Sequence, residues 1–318
     1  MRAPLLALQR AAAPGAASRV GSIGLVRIAI LADVHGNLAA LEAVLADVER
    51  QRVDRVIVNG DSVNRGPQSV EVERLLAELP YETTLGNHDD LMVMVHERHP
   101  DLGEGLDDPF WSGNRMTAAA LAAAGLLAGV RRRPMTIRVA EAGAPVLLVS
   151  HGSPRHYREG YGPSLTPETI SEIVEEYPAD VLVGSHTHRP HLQRWARYTV
   201  LNSGSVGAPF NGDPRAQYLL LTLSGGAWSP EFRRVPYDIG RTVAAYAASG
   251  LADGGGLSAH IFREELIHAR SYIVPFLMRC EEGRFERDLT GWAEYRRLAA
   301  ARFVLPTMEP TVSASPEP

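Results

Sequence analysis

At 318 residues, with 45% apolar and 22% charged side chains, the chain has the make-up of a water-soluble protein that buries one large core, or one core and a small appendage. Its formal net charge of −5 excludes a general electrostatic affinity for nucleic acid. No apolar run approaches the roughly 20 residues of a membrane-spanning helix. The lone cysteine, Cys280, rules out an intramolecular disulfide and a thiolate metal cluster, which suits a reducing, cytoplasmic setting.

The first 25 residues are Ala-rich, free of acids and carry Arg2, Arg10 and Arg19. A transit peptide has a related composition, and a disordered extension ahead of a fold beginning near Val26 is the preferred reading. Val26–Asp33 is a continuous apolar run ending in an acid, as in a buried strand that feeds a site loop. Asn37 can cap a helix over Leu38–Arg50, where Leu38, Leu41, Val44, Leu45 and Val48 fall at helical spacing. A strand at Asp54–Gly60 and a helix at Ser69–Leu79 repeat the pattern, and the alternation predicts an α/β core with parallel strands. The segment Met92–Trp111 reads as a loop, and Met116–Val130 as an Ala-rich helix. Strands are expected at Thr136–Ala140, Val146–Ser150, Val181–Gly184, Tyr198–Asn202, Gln217–Leu223 and Phe232–Pro236, with one helix at Thr166–Glu176 among them. From Asp238 the pattern is helical again, with helices at Leu257–Glu281 and Leu289–Phe303. Residues 238–305 are therefore read as a helical appendage without chemistry of its own, offering a cover for the core or a homo-oligomer contact. The Pro-, Ser- and Glu-bearing tail 306–318 reads as disordered.

Five segments place metal-type ligands at strand ends: Asp33-Val34-His35, Gly60-Asp61, Gly86-Asn87-His88-Asp89, His151-Gly152 and Gly184-Ser185-His186-Thr187-His188. The carboxyl ends of parallel strands converge on one crevice, so residues distant in sequence meet there. Carboxylate, imidazole and amide donors without sulfur suit Mn²⁺, Fe²⁺, Zn²⁺ or Ni²⁺ better than the oxygen-loving Ca²⁺ and Mg²⁺. Two such ions about 3.5–4 Å apart can clamp an in-line displacement at phosphorus. Asp61 is the natural carboxylate to lie between them. Each motif alone is weak, since a strand-end Asp is more often a turn cap. The ordered set of five is specific.

The series DVHGN, GDSVNRG, GNHDD, HG and GSHTH resembles the calcineurin-like metallophosphoesterases from about Val26 to about Pro236, including the Leu201–Pro209 stretch LNSGSVGAP. The resemblance implies a four-layer αββα sandwich of two mixed β-sheets flanked by helices, with a two-metal site at the sheet edge. Carried over by position, Asp33, His35 and His188 would hold one metal, and Asn87, His151 and His186 the other. Asp61 would bridge, and Mn²⁺ is the favoured ion. The resemblance further implies a metal-bound hydroxide as nucleophile, with His88 near the substrate as proton donor and Asp89 as the carboxylate that orients it.

Arg65 carries the planar fork that grips a phosphate, with a surface arginine in a polar loop as the equal alternative. Arg131, Arg132 and Arg133 read as a solvated helix end, and His156 and His191 as polar loop histidines. Protein phosphatases of this superfamily read GDxVDRG and RGNHE; here Asn64 replaces the acid and Leu85 stands where their arginine would precede the glycine. These departures favour the small bacterial phosphodiesterase-like branch and a small, nucleotide-like phosphodiester substrate. A phosphomonoesterase or protein phosphatase is the runner-up, and a non-catalytic metal-bound scaffold is the alternative of another class.

Overall fold

The computed structural model describes residues 25–298 and 311–313. The expectations for residues 1–24 and for most of the tail lie outside the described residues. Of that tail, Thr311–Ser313 is a strand rather than disordered chain.

The core is two mixed sheets packed face to face. One has the strand order β10-β9-β1-β2-β3, formed by Ala227–Val235, Ala216–Ser224, Val26–Leu31, Arg55–Asn59 and Glu82–Thr84. The other runs β11-β7-β8-β6-β5-β4, formed by Thr311–Ser313, His191–Trp195, Tyr198–Asn202, Val181–Gly184, Leu147–Ser150 and Thr136–Val139. Strands β1, β2 and β3 are parallel to one another, as are β5, β6 and β8. Their carboxyl ends all point to one edge of the sandwich.

Period-2 alternation assigns the layers. Ile28 and Ile30 of β1 face the second sheet and pack with Ile57, Val149, Val183 and Leu219. Ala29 and Leu31 face the other way, onto Leu41, Val44 and Val48 of the helix Leu38–Gln51. That helix starts as predicted, with the Asn37 side chain accepting the Ala40 N–H at 3.2 Å. On the far side, Leu148, Leu182 and Val200 receive Ile170 and Ile173 of the helix Pro167–Glu176. The result is the expected helix–sheet–sheet–helix order. Among the described residues no helix is long and apolar enough to cross a membrane.

Four local expectations are corrected. Met92–Trp111 is not a loop throughout, because Asn87–Glu97 is a helix whose Met92 and Val93 are buried. Gly86 enters it in an extended conformation, and the Asp89 carboxylate accepts the Gly86 N–H at 3.1 Å, which starts the helix within the motif itself. The Ala-rich stretch divides into Ser112–Ala123 and Leu127–Arg131 at Gly125, whose φ is +72°. The stretch Leu257–Glu281 divides into Gly256–His268 and Ile273–Glu281. There the chain turns left-handed at Ala269, and the buried Glu265 carboxylate accepts the N–H groups of Tyr272 and Ile273. Finally, His191 is no loop residue: it opens the edge-proximal strand β7 and is buried.

The helices after Asp238 have their own core of Ile261, Phe262, Phe276, Trp292 and Tyr295, joined by Phe110. They pack on the helix Ser112–Ala123, where the Gly113 N–H reaches the Gly255 carbonyl at 2.8 Å. They thus stand beside the sheet edge at which the strand ends converge.

Candidate metal centre

The five loops leaving β1, β2, β3, β5 and β6 meet at that edge. Asp33, His35, Asp61, His186 and His188 all hold left-handed backbone, with φ from +48° to +63°. Non-glycine residues pay for this conformation sterically, and such outliers gather where structure around them fixes a functional loop. Neighbouring loops lock the conformations by backbone bonds: Asp33 N–H to Gly60 O at 3.1 Å, His35 N–H to Asp61 O at 3.0 Å and Gly207 N–H to Asp33 O at 2.9 Å. Gly86 must be glycine, since a Cβ there would collide with the Asp61 carboxylate and amide. The Leu201–Pro209 stretch earns its place through Ser205, Val206 and Gly207, which pin the Asp33 loop.

Asp33, His35 and His188 put one donor atom each within 4.8 Å of one another, and so do Asp61, His151 and His186. His35 and Asp61 form a third such group with His88. Asn87 Oδ1 lies 2.8 Å from His186 Nδ1 and 3.2 Å from His151 Nε2. All seven residues predicted as ligands therefore converge on one buried cluster.

The hydrogen bonds around the cluster leave one set of atoms turned inward. His35, His151 and His188 each set Nδ1 against a backbone carbonyl, those of Val63, Asn59 and Ala208 respectively. With the proton on Nδ1, the Nε2 lone pair faces the cluster, as in ligating histidines. Asp33 Oδ2 accepts the His186 N–H at 3.2 Å and Asp61 Oδ1 accepts the His88 N–H at 2.7 Å. Their other oxygens, Asp33 Oδ1 and Asp61 Oδ2, are buried and have no hydrogen-bond partner. Buried carboxylate oxygens are costly to leave unmatched. A divalent cation fits this donor set, because it would satisfy both orphaned oxygens and the inward lone pairs together.

Electrostatics agree. Burial alone would raise the Asp61 carboxyl, but His151 and His88 hold it well below the usual carboxylate range. Burial opposes charge on His151, yet Asp61 and Asp33 outweigh it and lift its pKa to about 10, so that without a cation a proton takes the inward Nε2 that a bound metal would otherwise occupy. Burial instead holds His35 well below its ordinary pKa and brings His186 down to about 4, so those two rings stay neutral.

His88 stands beside the cluster, its ring centroid 4.9 Å from that of His35. Arg65 Nε donates to His88 Nε2 at 3.2 Å, and the Asn64 amide lies 2.9 Å from Nδ1. A neutral imidazole has one acceptor nitrogen, so the proton is on Nδ1 and the Asn64 amide receives it with its oxygen toward the ring. Burial, against the pull of Asp61, keeps His88 well below its ordinary pKa. Asn64, not Asp89, is thus the residue that orients His88. Asp89 instead accepts the N–H groups of Asp61 and Ser62, each at 3.0 Å, and pairs with Arg133 at 3.0 Å. Arg133 also pairs with Glu73 at 2.7 Å, so it is a buried structural cation and not a solvated helix end. His156, by contrast, is exposed.

Arg65 is no surface residue. Its guanidinium donates to Glu265 Oε2 at 2.9 Å and lies 4.7 Å over the Phe262 ring. The Tyr246 hydroxyl donates to the Arg65 carbonyl at 2.9 Å. The C-terminal helices, read from the sequence as chemically silent, therefore hold a site residue in place. One sign of this was legible: Glu265 falls on the apolar face formed by Ile261, Phe262 and Leu266, where a lone acid requires a partner.

Two facing mixed sheets with a carboxylate–imidazole cluster at their common edge define the metallophosphoesterase class. The model of the calcineurin-like phosphoesterase family matches residues 26–190, more than half of the 318-residue chain, and the chain belongs to that family. It is similar to a metallophosphoesterase from Sphaerobacter thermophilus, with 27% identity and a TM-score of 0.57 over 77% of this chain and 99% of that one. An uncharacterised protein of Methanocaldococcus jannaschii is 26% identical over 228 residues, 67% of this chain and 88% of its own. A symmetrical bis(5'-nucleosyl)-tetraphosphatase of Psychromonas ingrahamii is 35% identical over 71 residues, only 21% of this chain and 26% of its own.

Proposed function

We propose that this chain hydrolyses a small phosphodiester at a centre holding two divalent metal ions, Mn²⁺ favoured. The observation that carries the reading is the pair of buried carboxylates, Asp33 and Asp61, each with one oxygen tied to a backbone N–H and the other unmatched among inward-facing histidine nitrogens. Asp33, His35 and His188 would hold one ion, Asn87, His151 and His186 the other, and Asp61 would bridge. Such ions, when bound, lower the pKa of a water toward about 7 and so supply a nucleophile at neutral pH.

The chain's own residues do the rest. Arg65 presents its guanidinium beside His88, where it steadies a phosphate oxygen. His88 is neutral before substrate arrives, and an approaching anion raises its proton affinity. It then takes a proton from water on Nε2 and gives it to the departing alkoxide, while Asn64 keeps the ring in place. A diester has a second ester group to place in the adjoining cavity, and this favours it over a monoester. The short likeness to tetraphosphatases supports a second reading, in which that ester group is a nucleoside.

The test is hydrolysis of bis-p-nitrophenyl phosphate and of p-nitrophenyl phosphate by metal-stripped protein refilled with Mn²⁺. The diester should be turned over only after refilling, with kcat/KM at least tenfold above the monoester. Preference for the monoester would sink the diester assignment. Turnover of neither would move the chain toward a metal-bound scaffold.

A further inference from the structure

The metal centre opens onto a cavity of about 500 Å³, floored by Asn87, His88 and His186. Its walls are mostly apolar. Leu91 and Val95 come from the helix after β3, Leu106 and Trp111 from the segment that follows, and Phe262 and Leu277 from the C-terminal helices. The cavity is thus built mainly by the first domain and closed on one side by Phe262, Ile273, Val274 and Leu277 of the appendage. A volume of this size fits the usual range for small-molecule sites.

A nucleobase would need several donors and acceptors matched in such a cavity, and unmatched ones are costly. Beyond Arg65, Asn87, His88 and His186 at the phosphate end, three polar side chains line it: Asn114, Arg115 and Arg158. Arg115 already donates to the carbonyls of Leu106 and Asp108 and to Ser112 Oγ, so its fork fixes the wall rather than serving a ligand. Arg158 also lines the cavity, from an exposed position open to water. Asn114 alone offers an amide within the wall. The apolar surface also continues outward: Val274, which lines the cavity, and Met278, one helical turn on, are 56% and 55% exposed.

We propose that this cavity is the subsite for an apolar ester group, so that the substrate is a phosphoester carrying an alkyl or acyl chain of several carbons rather than a nucleoside. The inference rests on the phosphoesterase reading above and names the substrate class for that site. The chain would lie along Leu91, Val95 and Leu277 and leave toward Val274, with the phosphate at His88 and the metal ligands.

Calorimetric titration of the Mn²⁺-filled protein with methyl-, butyl- and hexylphosphonate and with adenosine 5'-phosphate tests it. Each methylene taken out of water is worth up to about fourfold in affinity. Kd should fall at least tenfold from methyl- to hexylphosphonate, and hexylphosphonate should bind more tightly than the nucleotide. Val274→Asp, at an exposed position, and Leu277→Asp should abolish the gain with chain length and leave methylphosphonate affinity within twofold. Equal affinity along the series, or a nucleotide that binds more tightly than the hexyl compound, overturns the proposal. Hydrolysis of bis-p-nitrophenyl phosphate by the same preparation separates the two failures: with turnover present only the apolar subsite falls, and with turnover absent the phosphoesterase reading falls with it.

Discussion

Asn64 and Asp89, from two different motifs, divide the tasks around His88 and Asp61. Asn64 touches the His88 ring at 2.9 Å, while Asp89 supports the loop that carries Asp61. Asn64→Ala should lower kcat of the metal-filled enzyme by about 10–100-fold, the range typical of groups that orient a functional histidine or ligand. Its Mn²⁺ affinity should stay unchanged, which steady-state kinetics and a metal titration would check together. Arg133→Ala leaves the Asp89 and Glu73 carboxylates buried without their shared cation, and should cost about 3–5 kcal/mol in urea unfolding. A loss below about 1 kcal/mol would contradict a structural role for that cation. Most ligand residues were legible in the sequence because they follow an apolar strand and carry metal chemistry, whereas Asn87, after the polar strand Glu82–Thr84, was marked only by its Gly-Asn-His-Asp motif. The Asp89–Arg133 pair was not, because Arg133 lies 44 residues downstream and its neighbours Arg131 and Arg132 mimic a solvated helix end.

At the scale of elements, alternation and helical stripes located most of the sandwich, since both depend on local burial. Three strands escaped. Glu82–Thr84 and Thr311–Ser313 are three residues long, and His191–Trp195 carries His191, Gln193 and Arg194, so none has an apolar run to mark it. The split of the C-terminal stretch at Ala269 escaped as well, because Glu265 terminates it through backbone bonds that no periodicity predicts. One element contact makes a pH prediction. Asp47 of the helix Leu38–Gln51 accepts from Tyr218 at 2.7 Å and pairs with Arg233 at 3.1 Å, tying the helix to β9 and β10. Burial pushes its carboxyl up, and Tyr218, Arg233 and Arg50 outweigh that, leaving it below the usual value. A depressed native pKa stabilises the fold above the unfolded pKa of about 3.9, and the contribution is lost as pH falls through the lower native value. Asp47→Asn should therefore cost about 1–2 kcal/mol near pH 7, discounted because Arg50 and Arg233 reach solvent. The gap from the unsubstituted protein should close below about pH 4 in thermal unfolding. A gap that widens on acidification would contradict it.

At the scale of the whole molecule, the C-terminal helices complete the site instead of merely covering the core. Glu265 and Phe262 set the guanidinium of Arg65, and Tyr246 holds its backbone. Sequence reading missed this because the contact spans 200 residues and only the acid on an apolar helix face hints at it. Glu265→Gln keeps a carbonyl oxygen for the Tyr272 and Ile273 amides but removes the charge facing Arg65. It should lower kcat/KM about tenfold, mainly through KM, since it loosens a group that holds substrate and transition state alike. An effect confined to kcat would place Arg65 in the chemical step instead.

The central claim is that Asp61 joins two cations in one centre. Metal-stripped protein titrated with Mn²⁺, followed by metal content per chain and by turnover of bis-p-nitrophenyl phosphate, tests it most directly. Turnover should rise to a plateau at two ions per chain, and Asp61→Ala should bind fewer than two and lose activity at least a hundredfold. Full turnover at one ion per chain, or an active Asp61→Ala protein, would contradict the two-metal centre.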